Sequence, residues 1–162
     1  MRQYFDLHVN FEWREYTREG YTKVFIPNMM GVNSSYNDDR INIAVYSKDS
    51  KLPKKYDLVF VQDYLPDIEM FAKMRGGAVE LNLNYIKQAM MKGRMHRVRS
   101  FCSALLAYNV PYVFTSGAEN IFEVKSPKEM AFAGELLGFT QRQVLHSMST
   151  TAQSILREKK WL

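Results

Sequence analysis

Gly76-Gly-Ala78-Val-Glu-Leu-Asn82 opens the stretch whose reading decides the fold, and Ser126-Pro-Lys-Glu129 closes it. Ala78 to Asn82 is a short alternation of apolar and polar residues, the pattern of a strand. The twenty-five residues from Asn84 to Tyr108 carry five Lys or Arg, one His and no acid. The apolar phase set by Ile86, Ala89 and Met90 does not continue to Val98, Phe101, Cys102 and Leu105, so the spacing predicts two helices parted at Gly93. Pro111-Tyr-Val-Phe114 reads as a second strand, which Thr115-Ser-Gly-Ala118 ends with small, mostly polar residues. Together these segments make a βαβ unit with a basic face.

Working outward, Ser126-Pro127-Lys-Glu129 places a serine N-cap, a proline at the first helical position and Glu three residues on, a capping box for a helix that ends before Gly138. Thr140-Gln-Arg-Gln143 repeats the device for a second helix, and a third segment spans Ala152 to Arg157. Upstream, strands are predicted at Tyr4 to Val9, Thr22 to Ile26 (stopped by Pro27), Ile41 to Tyr46 and Asp57 to Val61. The last is nearly all apolar, as in a strand buried on both faces. Asn10 to Gly20 reads as a short helix or ordered loop, Asn28 to Arg40 as a loop, Ser47 to Lys55 as a lysine-rich solvated connection, and Asp67 to Arg75 as a helix. Six strands compatible with parallel pairing, some separated by helices, predict an α/β chain. A complete eight-unit barrel needs at least about 200 residues. The expectation is therefore a TIM-barrel-like (β/α) parallel sheet forming a shortened or incomplete barrel, as one domain over residues 1–162.

With 162 residues, 46% hydrophobic, the chain is long enough to bury a core. The net charge of +5 favours an acidic partner without identifying one. A lone cysteine, Cys102, forms no internal disulfide and reads as a small core hydrophobe in a reducing compartment. No apolar run approaches the length of a signal peptide or membrane span, so the expected location is cytoplasmic, with no membrane partner.

Three constellations carry chemistry. Asp6-Leu-His8-Val-Asn10 places alternate residues on one strand face, where Asp6 and His8 could ligate a metal. Asn10 is a poor ligand for zinc-like ions, and the alternative is a hydrogen-bond network. Asp57, Asp63 and Glu80 could converge at strand ends. The second constellation is Lys87, Lys92, Arg94, His96, Arg97 and Arg99, to which the tail adds Arg157, Lys159 and Lys160. A solvated helix face normally interleaves acids for pairing. This one has none, which suits cations that neutralise phosphates. The third is Thr115 to Ala118, where small residues ending a parallel strand either admit a ligand to exposed N–H groups or simply turn the chain.

Read in order, the Asp-Leu-His-Val opening strand, the Val-Glu-Leu-Asn strand, the arginine-rich helix, Val-Phe-Thr-Ser-Gly-Ala, Ser-Pro-Lys-Glu and Leu-Leu-Gly-Phe-Thr resemble the ribonuclease P protein component 3 family, the thirty-kilodalton-type subunit of archaeal-type enzymes shared with eukaryotes. The resemblance spans about Asp57 to Arg157 and is sharpest at Thr115 to Ala118 and Val124 to Glu129; from Asn10 to Lys55 this chain is shorter than the family. It implies a TIM-barrel-like fold related to the polymerase and histidinol phosphatase (PHP) superfamily. It also implies a non-catalytic subunit of a ribonucleoprotein whose RNA, using Mg²⁺, removes the 5′ leader from precursor tRNA, so the chain itself binds no cofactor. The implied partners are ribonuclease P RNA, precursor tRNA, protein component 2 and the other protein subunits. Where the related phosphatases have a metal-binding His-x-His, this chain has His8-Val-Asn10, leaving Asp6 and His8 as vestiges of a former metal site. The family's Leu-Arg-Ser-Pro-Arg-Asp is here Val124-Lys125-Ser126-Pro127-Lys128-Glu129; charge is kept, but Lys lacks the planar fork of Arg.

The expected RNA contacts are phosphate contacts from Lys87, Lys92, Arg94, Arg97, Arg99, Lys125 and Lys128, with a close backbone approach at Ser116 and Gly117. The rival expectations are a metal-dependent phosphoesterase built on Asp6, His8 and a strand-end carboxylate, and a protein-interaction scaffold whose basic face meets an acidic partner.

Overall fold

The computed structural model describes residues 3–10, 21, 23–30, 34–48, 50–74 and 76–162. All strand pairs among them are parallel. A five-stranded sheet runs β3 (Pro27–Met30), β4 (Ile41–Tyr46), β5 (Leu58–Val61), β6 (Ala78–Asn82), β7 (Tyr112–Thr115), in chain order. β1 (Phe5–Asp6) and β2 (Lys23–Val24) form a separate pair. The expected α/β class with a parallel sheet is thus present.

Chain segments link the two sheets at both ends. Residues 23–30 pair with β1 at their start and with β4 at their end, and Val9 bridges to Ala118 just beyond β7. The bonds Gly117 N to His8 O (3.0 Å) and Asn10 N to Ala118 O (2.8 Å) complete that seam. This change of partner explains why β1 is shorter than the alternation from Tyr4 to Val9 predicts.

Pro27 corrects the sequence reading. The expectation is that it stops a strand, with a loop from Asn28; instead it begins β3, and Asn28 to Met30 continue it. A proline is tolerated at the first residue of an edge strand, where no N–H has to be donated. The predicted second strand is present as the shorter β2, and β3 lies in the stretch expected to be a loop, giving seven strands among the described residues where six are expected. The expected helix or loop from Asn10 to Gly20 lies, past Asn10, outside the described residues, as do Thr22 and Arg75.

Helix α1 (Ile68–Lys73) is capped by Asp67, whose carboxylate accepts the Met70 N–H. Helices α2 (Leu83–Met91) and α3 (Met95–Ala107) are parted at Gly93, whose φ of 68° lies in the left-handed region that favours glycine. Val98, Phe101, Cys102 and Leu105 of α3 are fully buried, so Cys102 is the small core hydrophobe that its apolar setting predicts. Burial pushes its thiol up to about 12. Both capping boxes form, Ser126 with Glu129 on α4 (Pro127–Glu135) and Thr140 with Gln143 on α5 (Gln141–His146). The third predicted segment is helical, and continuous with the second. α5 passes through a π turn (Ser147–Thr151) directly into α6 (Ala152–Glu158), and the caps between them are all helical. The π turn packs on the free edge of β7, where Ser147 Oγ accepts the Phe114 N–H at 3.3 Å.

Candidate functional site

Side chains two apart on a strand share a face. On β6, Glu80 and Asn82 therefore project together, and the register sets them beside Val113 and Thr115 of β7. On the opening segment Asp6, His8 and Asn10 share a face. The seam between Val9 and Ala118 joins the two sets at the carboxyl ends of the strands, where Asp6, His8, Glu80, Asn82, Thr115 and Ser116 are all buried.

Glu80 is the hub. Its Oε1 accepts from Thr115 Oγ1 at 2.6 Å and Asn82 Nδ2 at 3.2 Å, and lies 2.6 Å from His8 Nδ1. The other His8 nitrogen, Nε2, lies 3.1 Å from Asn10 Oδ1, and Asn10 Nδ2 donates to Gly117 O. That second bond orients the Asn10 amide with its oxygen toward His8 Nε2. Burial opposes a charged imidazole, but the Glu80 carboxylate and the bonds to Glu80 and Asn10 outweigh it and hold His8 above its ordinary value. Asp6 accepts from the Ser116 N–H (3.1 Å to Oδ1, 3.3 Å to Oδ2) and the His8 N–H (3.2 Å). Burial raises its carboxyl to about 6, against the lowering effect of the Ser116 bonds.

The cluster's atoms face one another: His8 Nδ1 also lies 3.1 Å from Asn82 Nδ2, and Glu80 Oε1 meets three neighbours. Within the cluster Glu80 Oε2 is buried without a hydrogen-bond partner, one donor where a zinc-like site takes three or four. No group of three or more His, Cys, Asp or Glu is placed to hold a metal among the described residues. Of the carboxylates that could converge, Glu80 does. Asp57 lies at the opposite end of β5, bonded to Asn42 and Lys159, and Asp63 is exposed.

The cluster positions the basic region. Asn82 Oδ1 accepts the Tyr85 N–H and so caps α2, while its amide touches Glu80. Lys87, Lys92, Arg94 and Arg97 are exposed, and the ion pairs among the described residues lie elsewhere. They gather on two sides of α2. Lys87 and Lys125 line a depression of about 240 Å³ with Phe122 and Ser116. Lys92, Arg94 and Arg97 line a smaller one of about 70 Å³ with Asp63, Tyr64 and Tyr85. Arg99 is also exposed, but its Nε donates to Leu136 O at 2.9 Å, near the end of α4. Lys128 is exposed in the first turn of α4 and lines neither depression.

Two expectations are corrected here. Ser116 and Gly117 are buried, and their N–H groups bond to Asp6 and His8 O. The close approach at Gly117 is made by Asn82 of the same chain: a Cβ on Gly117 would lie 2.1 Å from Asn82 Oδ1. Lys159 is likewise withdrawn from any basic tail, its side chain 3% exposed and paired with Asp57. Sequence reasoning missed Asn82 and Thr115 as members of the cluster. The signal for Asn82 was its place two residues after Glu80 on an otherwise apolar strand, and for Thr115 a polar residue closing the apolar run Val113-Phe114.

No helix among the described residues is long and apolar enough to cross a membrane. In comparison with known proteins, no family model and no curated relative matches this chain.

Proposed function

We propose that this chain is a protein subunit of ribonuclease P, which binds and stabilises the catalytic RNA and does not itself cleave. One observation carries the reading. Four cations of α2, α3 and the turn between them are exposed and, among the described residues, without an ion pair, and they flank the carboxyl end of the strands. Such an arrangement suits phosphates, with release of their counterions. The buried cluster beneath supports a structural role, since its donors and acceptors, Glu80 Oε2 apart, are engaged with one another and with the cap of α2. On this reading the two linked sheets are one shortened TIM-barrel-like barrel, closed at the Val9–Ala118 seam. Mg²⁺ serves the RNA. The partners are ribonuclease P RNA, precursor tRNA, protein component 2 and the other protein subunits, in the cytoplasm.

The test is reconstitution of precursor-tRNA cleavage from the cognate RNA and protein components in Mg²⁺, with and without this chain. Omission is expected to lower the rate, and the chain alone to cut nothing. An unchanged rate would overturn the reading.

A further inference from the structure

The 3-10 turn Ile121–Glu123 presents Phe122 with 88% of its surface exposed, beside a half-exposed Ile121. The turn that holds this ring is well tied. Asn120 Oδ1 accepts the Phe122 N–H (3.0 Å), Glu123 Oε2 accepts the Glu119 N–H (2.9 Å), and Val124 N donates to Ile121 O (3.3 Å). A large apolar ring fixed in solvent forgoes the burial that would stabilise it.

Phe122 stands at a depression of about 240 Å³ whose other walls include Leu83, Asn84, Lys87, Glu123 and Lys125. Lys87 and Lys125 have no carboxylate within ion-pair distance among the described residues. An aromatic face next to two unpaired cations suits a nucleotide whose base is out of the stack: the ring takes the base, and the ammonium groups take its phosphates. Glu123 sets the preference within that class. Its carboxylate repels phosphate but accepts from an exocyclic amine, which adenine, cytosine and guanine carry and uracil lacks.

We propose that this depression binds one unpaired, amino-bearing nucleotide of a structured RNA, the base stacked on Phe122 and the phosphates held by Lys87 and Lys125. The proposal rests on the RNA-binding reading and adds a preference for an unpaired base, which phosphate contacts alone do not confer.

The experiment uses the whole chain and two RNA hairpins that differ only in one bulged 2-aminopurine. Binding is read by anisotropy, and stacking by quenching of the 2-aminopurine. The parent is expected to bind the bulged hairpin at least about fivefold more tightly, the factor at the lower end of what stacking one base on an aromatic ring is worth. Phe122→Ala should erase the preference and the quench while keeping affinity for the closed hairpin, and Phe122→Trp should restore both. A bulged uridine in place of the 2-aminopurine should lower the parent's affinity. Because Phe122 packs on little of its own chain, these variants are expected to fold. Equal binding of the two hairpins by the parent, or a preference that survives Phe122→Ala, overturns the nucleotide site and leaves the RNA reading standing. No binding to either hairpin overturns both.

Discussion

Lys159 Nζ lies 3.3 Å from Asp57 Oδ2, joining residues 102 apart in the chain, with both side chains almost wholly out of solvent. Tyr36 completes the arrangement. Its hydroxyl donates to Asp57 Oδ1 (2.8 Å) and accepts from Lys159 Nζ (3.0 Å), and its ring lies 4.5 Å from the same ammonium. Asn42 N also donates to Asp57 Oδ2 at 2.7 Å. Burial and the neighbouring carboxylate hold the Tyr36 hydroxyl protonated.

Removing one partner of such a pair leaves the other charge buried, at a cost of about 3 kcal/mol. Lys159→Met is expected to lower the urea midpoint accordingly, and adding Asp57→Asn should recover part of the loss. A midpoint within error of the parent would mean that the pair is not intact in solution.

The buried cluster predicts a pH dependence whose sign can be worked out. Asp6, raised to about 6, holds a proton in the folded state over a range where the unfolded chain has released it, so its contribution falls as pH rises from about 4 to 6. A shift of that size corresponds to about 3 kcal/mol. His8, held above its ordinary 6.5, stabilises fully below that pH and less as pH rises through its folded value. Both act in the same direction. Asp6→Asn should flatten the lower limb of the stability profile and Glu80→Gln the upper one, relative to the parent in urea titrations at pH 4.5, 6 and 8. Parallel profiles for parent and variants would remove this cluster as the source. Asp67, lowered first by the bond from the Tyr46 hydroxyl and then by its capping bond, and Glu129, lowered by its capping-box bonds with Ser126, act in the opposite sense, which is why the comparison is between variants.

Gly117 and Gly93 both have positive φ, at 60° and 68°, but a Cβ on Gly117 would collide with the Asn82 amide while one on Gly93 meets nothing within 4 Å. Gly93→Ala should cost about 1 kcal/mol, the left-handed conformation alone. Gly117→Ala should cost at least about 3 kcal/mol, because it displaces the residue that caps α2 and braces Glu80. Equal thermal shifts for the two would show that Asn82 yields without penalty.

Salt dependence separates the cations. Arg94→Ala with Arg97→Ala is expected to lower the slope of log affinity against log salt by about 2, one for each phosphate no longer neutralised. Arg99→Ala should change it less, since its guanidinium is committed in part to Leu136 O. Equal slopes for parent and double variant would move the RNA off this face.

Much of this is legible because the signals are local. The break at Gly93 and both capping boxes follow from residues within a few positions of one another, as do the polar positions inside β6 and β7. What is not legible depends on distant partners. Nothing beside Lys159 in the chain announces that Asp57 takes it out of solvent, so it reads as one more tail cation. Pro27 reads as a stop because an edge position, which relieves the need for its missing N–H, is a property of the assembled sheet. Ser116 and Gly117 read as open to a ligand because their bonds to Asp6 and His8 are made by the opening strand.

The π turn at Ser147–Thr151 bears on which insertions and deletions the chain can accept. It holds one residue more than an α-helical path of the same rise would need. Dropping one residue there, such as exposed Thr150, would let the turn close to a regular α-helix while Ser147 kept facing β7 and Ile155 and Leu156 kept facing the core. Dropping one from the regular helix beyond it, Ala152–Glu158, would instead turn everything that follows by about 100° and carry Lys159 away from Asp57. The π turn is therefore the place in this helix where a missing residue can be absorbed, because the surplus that it holds is local.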